Sequence, residues 1–128
     1  MKDQGLKRSD LSPILPLEES GEPDLSEFCI VLTTASKPEV VKKLIDQALE
    51  ARLAACVQAL PITSHYRWEG KIENDSETLL LFKAKTQDYQ LLEDMIRAHH
   101  DYKTPEILQL PITAGFGPYL NWIRDETR

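Results

Sequence analysis

Apolar and polar residues follow one another in periods that predict a strand and then an amphipathic helix. The run FCIVLTT, residues 28–34, is apolar and β-branched, as is typical of a strand buried on both faces. Over residues 36–52 the apolar positions recur at helical spacing. Ser36 and Glu39 have the spacing of a capping box, which predicts that this helix begins at Ser36.

Two long extended arms flank a turn in the middle of the chain. The turn is Trp-Glu-Gly-Lys, residues 68–71, and segments rich in strand-forming residues precede and follow it. Each arm has roughly 13 or 14 residues, whereas a typical strand has about 5 or 6. Pro61 lacks a backbone N–H, which predicts a bend or an edge position in the first arm. We therefore expect a long β-hairpin that extends beyond the rest of a small domain.

Three further elements complete the predicted order. A second helix begins at about Gln87, the run ILQLPI (107–112) is a fourth strand, and Pro118 begins a short C-terminal helix. The order predicts an α+β fold, the ferredoxin-like βαββαβ sandwich, with a long β-hairpin and a short C-terminal helix. Right-handed crossovers place the first strand between the third and the fourth. Cys29 and Cys56 then lie on strands that are not neighbours, which disfavours a disulfide between them.

The composition divides the chain into a polar N-terminal segment and one domain. Residues 1–27 contain few aliphatic residues, which predicts a disordered tail, and residues 28–128 form the domain. The tail holds seven acids and three bases, so most of the net charge of −6 lies there. The domain has no stripe of Lys and Arg, and no apolar run is long enough for a membrane helix or a secretory signal. We expect a cytoplasmic protein that binds neither nucleic acid nor membranes.

Two adjacent histidines, His99 and His100, lie at the end of the second predicted helix and are candidate metal ligands. Neighbouring helical residues point about 100° apart, so the pair cannot chelate one ion as histidines four residues apart can. His99 continues the helical row of Met95, and His100 continues the row of Ile96. An imidazolium group also interacts favourably with the dipole at a helix C-terminus. The residues alone favour a structural role for both histidines over a metal site.

Other polar and aromatic residues point to binding more than to catalysis. The chain has no nucleotide-binding, serine-hydrolase or HExxH motif, so we expect that it is not an enzyme. Lys83 could line a cleft for an anionic ligand or keep an exposed strand edge from pairing, and the second role is favoured. Trp68 and Trp122 are candidate packing anchors at a subunit interface. Charges that alternate along the hairpin are typical of a solvated face: Glu69, Lys71, Glu73, Asp75 and Glu77.

Three blocks of residues together resemble the CutA divalent-cation-tolerance family. They are ACVQALPITSHYRWEGKIE (55–73), HHDYKTPEILQLPITAG (99–115) and YLNW (119–122), and the similarity extends over about residues 28–125. The resemblance implies a ferredoxin-like fold that assembles as a tight homotrimer, similar in plan to the PII signalling trimers. It also implies binding of copper or another divalent cation in the response to metal ions, and it implies no catalytic activity.

Two positions depart from the pattern of the family. Some bacterial members have a cysteine in the first strand that has been proposed as a copper ligand, and Thr33 occupies that position here. Cys29 lies about 13 Å away along the strand, so it cannot replace that thiol. Asp101 follows His100 where the family has a proline, which leaves the histidine freer to remain helical.

Two interpretations of function follow from the resemblance. In the first, the protein is a cytoplasmic trimer that binds copper(II) through His99 and His100, with Asp101 or Glu106 as an oxygen ligand. Strand ends at about residues 65–75 are expected to pair between its subunits.

In the second interpretation, the protein is a PII-like trimer that senses a small anion or acts as an assembly module. Clefts between the subunits would accept the anion through Lys83 and Tyr102, and Glu106 is a further candidate residue of the cleft. Metal binding would then be incidental to its function.

Overall fold

Four strands of the described chain, residues 26–128, form an antiparallel sheet in this computed structural model. The strands are β1 (Phe28–Ala35), β2 (Cys56–Trp68), β3 (Lys71–Lys85) and β4 (Ile107–Ile112). Across the sheet their order is β2-β3-β1-β4, and each neighbouring pair is antiparallel. The predicted α+β class and the predicted position of β1 between β3 and β4 are confirmed.

Three α-helices accompany the sheet. They are α1 (Pro38–Glu50), α2 (Tyr89–His99) and α3 (Gly117–Glu126), and a short 3₁₀ turn, Thr86–Asp88, precedes α2. Helices α1 and α2 cover one sheet face, because their apolar rows and the inward residues of β1 and β3 form one buried cluster that includes Val31, Leu44, Phe82, Leu92 and Ile96. Cys29 belongs to this cluster, Cys56 is half-buried, and both are free thiols as expected.

The predicted start of α1 at a Ser36 capping box is wrong. Lys37 is the N-cap residue, its backbone is extended, and no side chain caps the helix. The physical reason is Pro38, which restricts the residue before it to extended conformations and itself fits the first helical position. The far end of α1 is closed by a Schellman motif, in which Arg52 has a φ of 58° and the Leu53 N–H donates to the Ala48 carbonyl at 2.9 Å.

The hairpin of β2 and β3 has the predicted turn and the predicted overhang. Its two turn residues, Glu69 and Gly70, have φ values of 50° and 79°, as a type I′ turn requires. Strand β1 pairs with β3 only over residues 78–85, so residues 71–77 pair with β2 alone. Pro61 lies on β2, which is an edge strand, as expected.

The sheet face opposite α1 and α2 is only partly covered. Helix α3 contacts this face at one end, where the Arg124 guanidinium lies 5.3 Å from the centre of the Phe28 ring. Leu108 and Leu110 pair with Leu32 and Ile30 of β1, on the face away from Val31, and they are 51% and 46% exposed. An apolar surface therefore remains open on this side of the sheet.

The predicted tail, residues 1–27, lies outside the described residues except for Ser26 and Glu27. Glu27 is held to the domain because its carbonyl accepts a hydrogen bond from the Thr86 N–H at 2.8 Å. Its carboxylate also accepts two hydrogen bonds from the Arg124 guanidinium, both at 2.9 Å. That residues 1–27 form a disordered tail that is dispensable for folding stays a prediction.

Candidate functional site

The two histidines at the end of α2 have different environments. Helix α2 ends at His99, and His100 is its C-cap residue, so the predicted helix end is confirmed. The expectation that His100 remains helical because Asp101 and not proline follows it is wrong, because the backbone of His100 is extended, with φ −84° and ψ 148°. His100 continues the buried row of Leu92 and Ile96, and its side chain is fully buried. His99 lies on the more exposed row and is half-buried.

Both ring nitrogens of His100 make hydrogen bonds. Nε2 lies 2.7 Å from the Thr34 carbonyl, which can only accept, so Nε2 carries the proton. Nδ1 accepts the Tyr102 N–H at 3.1 Å. Asp101 Oδ1 also lies 3.4 Å from Nδ1, but this contact is not an ion pair, because Nδ1 acts as an acceptor. In this arrangement His100 has no free lone pair for a metal ion.

His99 is the more available of the two rings. No hydrogen bond joins its imidazole to another residue within 26–128. Over the same residues, no group of three or more His, Cys, Asp and Glu side chains is placed to hold a metal ion. Thr33, at the position where some family members have a cysteine, is fully buried, and its Oγ1 has no hydrogen-bond partner among residues 26–128. A metal site that uses His99 would need ligands from a second chain, and the metal roles of both histidines stay predictions.

A cleft of about 800 Å³ lies between the overhanging part of the hairpin and the loop that joins α2 to β4. This volume is in the range of small-molecule sites. The cleft is lined by Thr34, Ser36, Ser64, His65, Tyr66, Trp68, Asp75, Ser76, Glu77, Tyr102, Lys103, Thr104 and Glu106. Tyr102 and Glu106, two of the three residues predicted for a ligand cleft, are thus brought together.

Two tyrosines orient two carboxylates in this cleft. Tyr102 Oη donates to Glu77 Oε2 at 2.6 Å, and Tyr66 Oη donates to Asp75 Oδ2. Burial, followed by the hydrogen bond to Glu77, raises the pKa of Tyr102. The hydrogen bond to Asp75 is the main cause that raises the pKa of Tyr66 to about 12. Both phenols therefore remain donors at neutral pH, and each carboxylate keeps one oxygen free of its tyrosine.

Lys83, the third residue predicted for the cleft, lies elsewhere. Its ammonium group is 3.4 Å from Tyr119 Oη and 5.4 Å from the centre of that ring. Tyr119 also stacks on Trp122, with ring centres 5.6 Å apart. Lys83 thus packs against α3, on the partly covered face of the sheet, and a role in ligand binding stays a prediction.

The two tryptophans predicted for an interface are both exposed. Trp68 is the last residue of β2 and is 58% exposed, and Trp122 on α3 is 42% exposed. That either tryptophan lies at a subunit interface stays a prediction.

Asp75 and Glu77 are the residues that sequence reasoning missed. The alternation of charges along the hairpin was interpreted as a solvated face, whereas Glu77 is half-buried and bonded to a residue 25 positions away. One signal was present in the sequence: the strand period puts Glu73, Asp75 and Glu77 on one face of β3.

Comparisons with known proteins agree with this fold over almost all of the described chain. The family model for "CutA1 divalent ion tolerance protein" matches residues 29–126. The "Divalent-cation tolerance protein CutA" of Thermus thermophilus is 42% identical over 99 residues, which are 77% of this chain and 96% of that protein. The "Protein CutA, chloroplastic" of Arabidopsis thaliana is 41% identical over 100 residues, which are 77% of this chain but only 55% of that protein.

Solved structures give the same result. CutA1 from Oryza sativa superposes with a TM-score of 0.77 at 36% identity, covering 80% of this chain and 95% of that one. The "Periplasmic divalent cation tolerance protein CutA" of Archaeoglobus fulgidus has a TM-score of 0.76 at 34% identity and covers 79% of this chain and 99% of that one. The fold and these matches define an α+β protein of the divalent-cation-tolerance class. The chain belongs to the CutA1 family.

The names of the relatives refer to more than one cellular compartment. Among the helices within 26–128, none is both long and apolar enough to cross a bilayer. One relative is called chloroplastic and another periplasmic. The cytoplasmic location stays a prediction.

Proposed function

We propose that this protein is a homotrimer that binds divalent metal ions, copper(II) first, in the response to metal ions. The observation that carries the proposal is the family match over residues 29–126, together with relatives that are named for divalent-cation tolerance. A role without catalysis is part of the proposal, and it is supported by relatives that are named as tolerance proteins and not as enzymes.

The trimer is supported by surfaces that one chain leaves open. The overhanging hairpin presents two unpaired strand edges over residues 62–68 and 71–77. Ile72, near its tip, is 76% exposed, and the open sheet face carries Leu108 and Leu110. Unpaired edges and exposed apolar faces are the features that a closed assembly covers.

The metal site is proposed around His99, at the surface where chains meet. Its imidazole nitrogen and a carboxylate oxygen of Asp101 or Glu106 are ligands that suit copper(II), which should bind more tightly than zinc(II). Thr33 offers no thiolate, so copper(I) would lack the soft ligand that it prefers.

The test is calorimetric titration of the purified full chain with copper(II) and with zinc(II). Replacing both His99 and His100 by alanine should abolish copper binding and leave the trimer intact. Among the single variants, His99→Ala should account for most of this loss, and His100→Ala should mainly lower the melting temperature. A double variant that binds copper(II) as tightly as the parent would show that neither histidine is a ligand.

A second candidate function is favoured by the cleft of about 800 Å³. In it the trimer senses a small ligand there or serves as an assembly module, and metal binding is incidental. A chain without its copper ligands that still functions in cells would support this candidate over the first.

A further inference from the structure

Residues 125–128, which we call the strap, lie at the end of the domain opposite the hairpin turn. The Arg52 guanidinium, just after α1, donates to the Asp125 carbonyl at 2.9 Å, and the Arg128 N–H donates to the Arg52 carbonyl at 3.0 Å. The ammonium group of Lys85, the last residue of β3, donates to the Arg128 carbonyl at 2.8 Å. The strap therefore joins the end of α1 to the end of β3.

A buried polar cluster of Cys29, Thr86 and Asp88 lies next to the strap. Arg128 Nε is 3.6 Å from Asp88 Oδ1, and Asp88 is only 4% exposed. Burial is the main cause that raises the pKa of Cys29, but the Thr86 hydroxyl lowers it and the Asp88 charge raises it, so both groups lie near the thiol. Cys29 is fully buried although it lies one residue from the end of the sheet, where Phe28 pairs with Lys85.

This cluster is buried by residues of its own chain. Assembly of several chains can add to this burial but is not its source. The surfaces proposed above for assembly are the overhanging hairpin and the open sheet face at Leu108 and Leu110. The strap makes its contacts with Arg52, Lys85 and Asp88, at the end of β3 that is far from the hairpin turn.

Opening of the strap has a compensating gain. Asp88 Oδ2 is buried and has no hydrogen-bond partner within residues 26–128, so water that enters on opening would hydrate it. The Arg128 side chain is 56% exposed, and Thr127, although buried, donates its hydroxyl to the Ile123 carbonyl of α3 itself. Segments that are held by a few polar contacts open locally while the rest of the fold stays intact.

We propose that the strap opens locally and that Cys29 is then a modification site for small, uncharged electrophiles. In the open state the sulfur attacks the electrophile, an S–C bond forms, the bond to the leaving group breaks, and the thiol proton goes to water. The Asp88 carboxylate beside the thiol repels anionic reagents. This inference uses neither the histidines nor the cleft, so it is independent of both candidate functions.

The test uses the full chain at pH 8, where an accessible thiol is partly ionised. The probes are iodoacetamide and iodoacetate, which have nearly the same size and differ in charge, and mass spectrometry of peptides distinguishes Cys29 from Cys56. The rate of Cys29 modification by iodoacetamide should change less than about twofold between 0 and 1 M urea, because local opening exposes little surface. A route through global unfolding would raise it at least about fivefold.

Two variants test the roles of the strap and of the buried carboxylate. Arg128→Ala should accelerate modification of Cys29 at least about threefold, because the buried Asp88 carboxylate then lacks its cation. The matched control is Arg97→Ala, which removes an exposed positive charge from the last turn of α2 and should change the rate less than about twofold. Asp88→Asn should raise the rate with iodoacetate relative to that with iodoacetamide about threefold or more. A variant that only loosens the fold would accelerate both reagents equally.

Each part of the proposal has a result that would overturn it. Local opening is excluded if Cys29 reacts only when the whole protein unfolds, so that its rate follows the urea dependence of unfolding measured by circular dichroism. The strap is not the gate if Arg128→Ala reacts no faster than Arg97→Ala. The carboxylate does not select the reagent if Asp88→Asn leaves the ratio of the two rates unchanged.

Discussion

One hydroxyl group in the core, Thr33 Oγ1, is buried without a hydrogen-bond partner among the described residues. A buried polar group in this state loses its hydration without compensation, which costs about 1–3 kcal/mol. Valine has nearly the same shape and suits a strand. We predict that Thr33→Val raises the free energy of unfolding by about 1 kcal/mol, measured by chemical denaturation.

Val31→Thr is the reciprocal control for this prediction. Val31 is fully buried on the same face of β1, so the change adds an unpartnered hydroxyl of the same kind. It should lower stability by a similar amount. A lower stability of Thr33→Val than of the parent would mean that the Thr33 hydroxyl has a partner in the assembled protein.

The thiol of Cys29 should make stability depend on alkaline pH. Burial raises its pKa from 9.0 to about 11. The unfolded chain therefore releases this proton at lower pH than the folded chain does, so the contribution to stability is complete below about pH 9 and declines up to about pH 11. One such proton gives a slope of at most about 1.4 kcal/mol per pH unit.

Chemical denaturation between pH 8 and pH 11 of the parent and of Cys29→Ala measures this slope. The parent should lose stability more steeply than the variant over about pH 9 to 11. Tyr66, whose pKa is raised to about 12, contributes equally in the two proteins and cancels in the difference. Tyr89 does not cancel completely, because the charge of Cys29 is one of the smaller causes that raise its pKa to about 12. Parallel curves would contradict the assignment to Cys29.

Individual residues were predictable from the sequence where a repeating pattern fixed their environment. The helical row through Ile96 correctly placed His100 beside the core. The contacts of its ring were not predictable, because Thr34 lies 66 positions away and meets it only in the folded chain. For the same reason Glu77 and Tyr102 could not be identified as partners.

Among the elements, the hairpin turn offers the most direct test of backbone conformation. Glu69 has a φ of 50°, a region that asparagine and glycine adopt more easily than glutamate does. We predict that Glu69→Asn raises the free energy of unfolding by about 0.5 kcal/mol and that Gly70→Ala lowers it by about 1 kcal/mol, measured by thermal denaturation.

The space around the turn makes this a test of backbone strain alone. A β-carbon added at Gly70 would meet nothing within 4 Å in a single chain, so steric contact does not contribute. A loss much larger than predicted for Gly70→Ala would therefore indicate that another subunit packs against the hairpin tip.

The elements themselves were largely predictable. The hairpin, β4 and the C-terminal helix follow from a turn signal, a short apolar run and Pro118, and each was confirmed. The start of α1 was missed because the Ser36–Glu39 spacing was weighed without the restriction that Pro38 imposes on Lys37. The restriction that Pro38 imposes on the backbone of Lys37, and not the Ser36–Glu39 capping box, therefore sets the start of α1.

At the scale of the whole molecule, the sheet has one face covered by helices and one face open. Helices α1 and α2 bury the first, and α3 covers only one end of the second. An open apolar face and a projecting hairpin are both unfavourable in water, and three copies related by a threefold axis can cover both without leaving a free edge. The sequence pattern predicted the overhang, but not how far α3 covers the open face.

The final prediction tests this assembly with two adjacent residues of β4. Leu110 points to the open face, and Gln109 points to the face of α1 and α2. Leu110→Glu would place a charge in the proposed interface, where an unpaired buried carboxylate is strongly unfavourable. Sedimentation or light scattering at micromolar concentration should show three chains for the parent and for Gln109→Glu, and a single chain for Leu110→Glu. A parent that is a stable monomer, or a Leu110→Glu variant that remains trimeric, would show that the open face does not join the subunits.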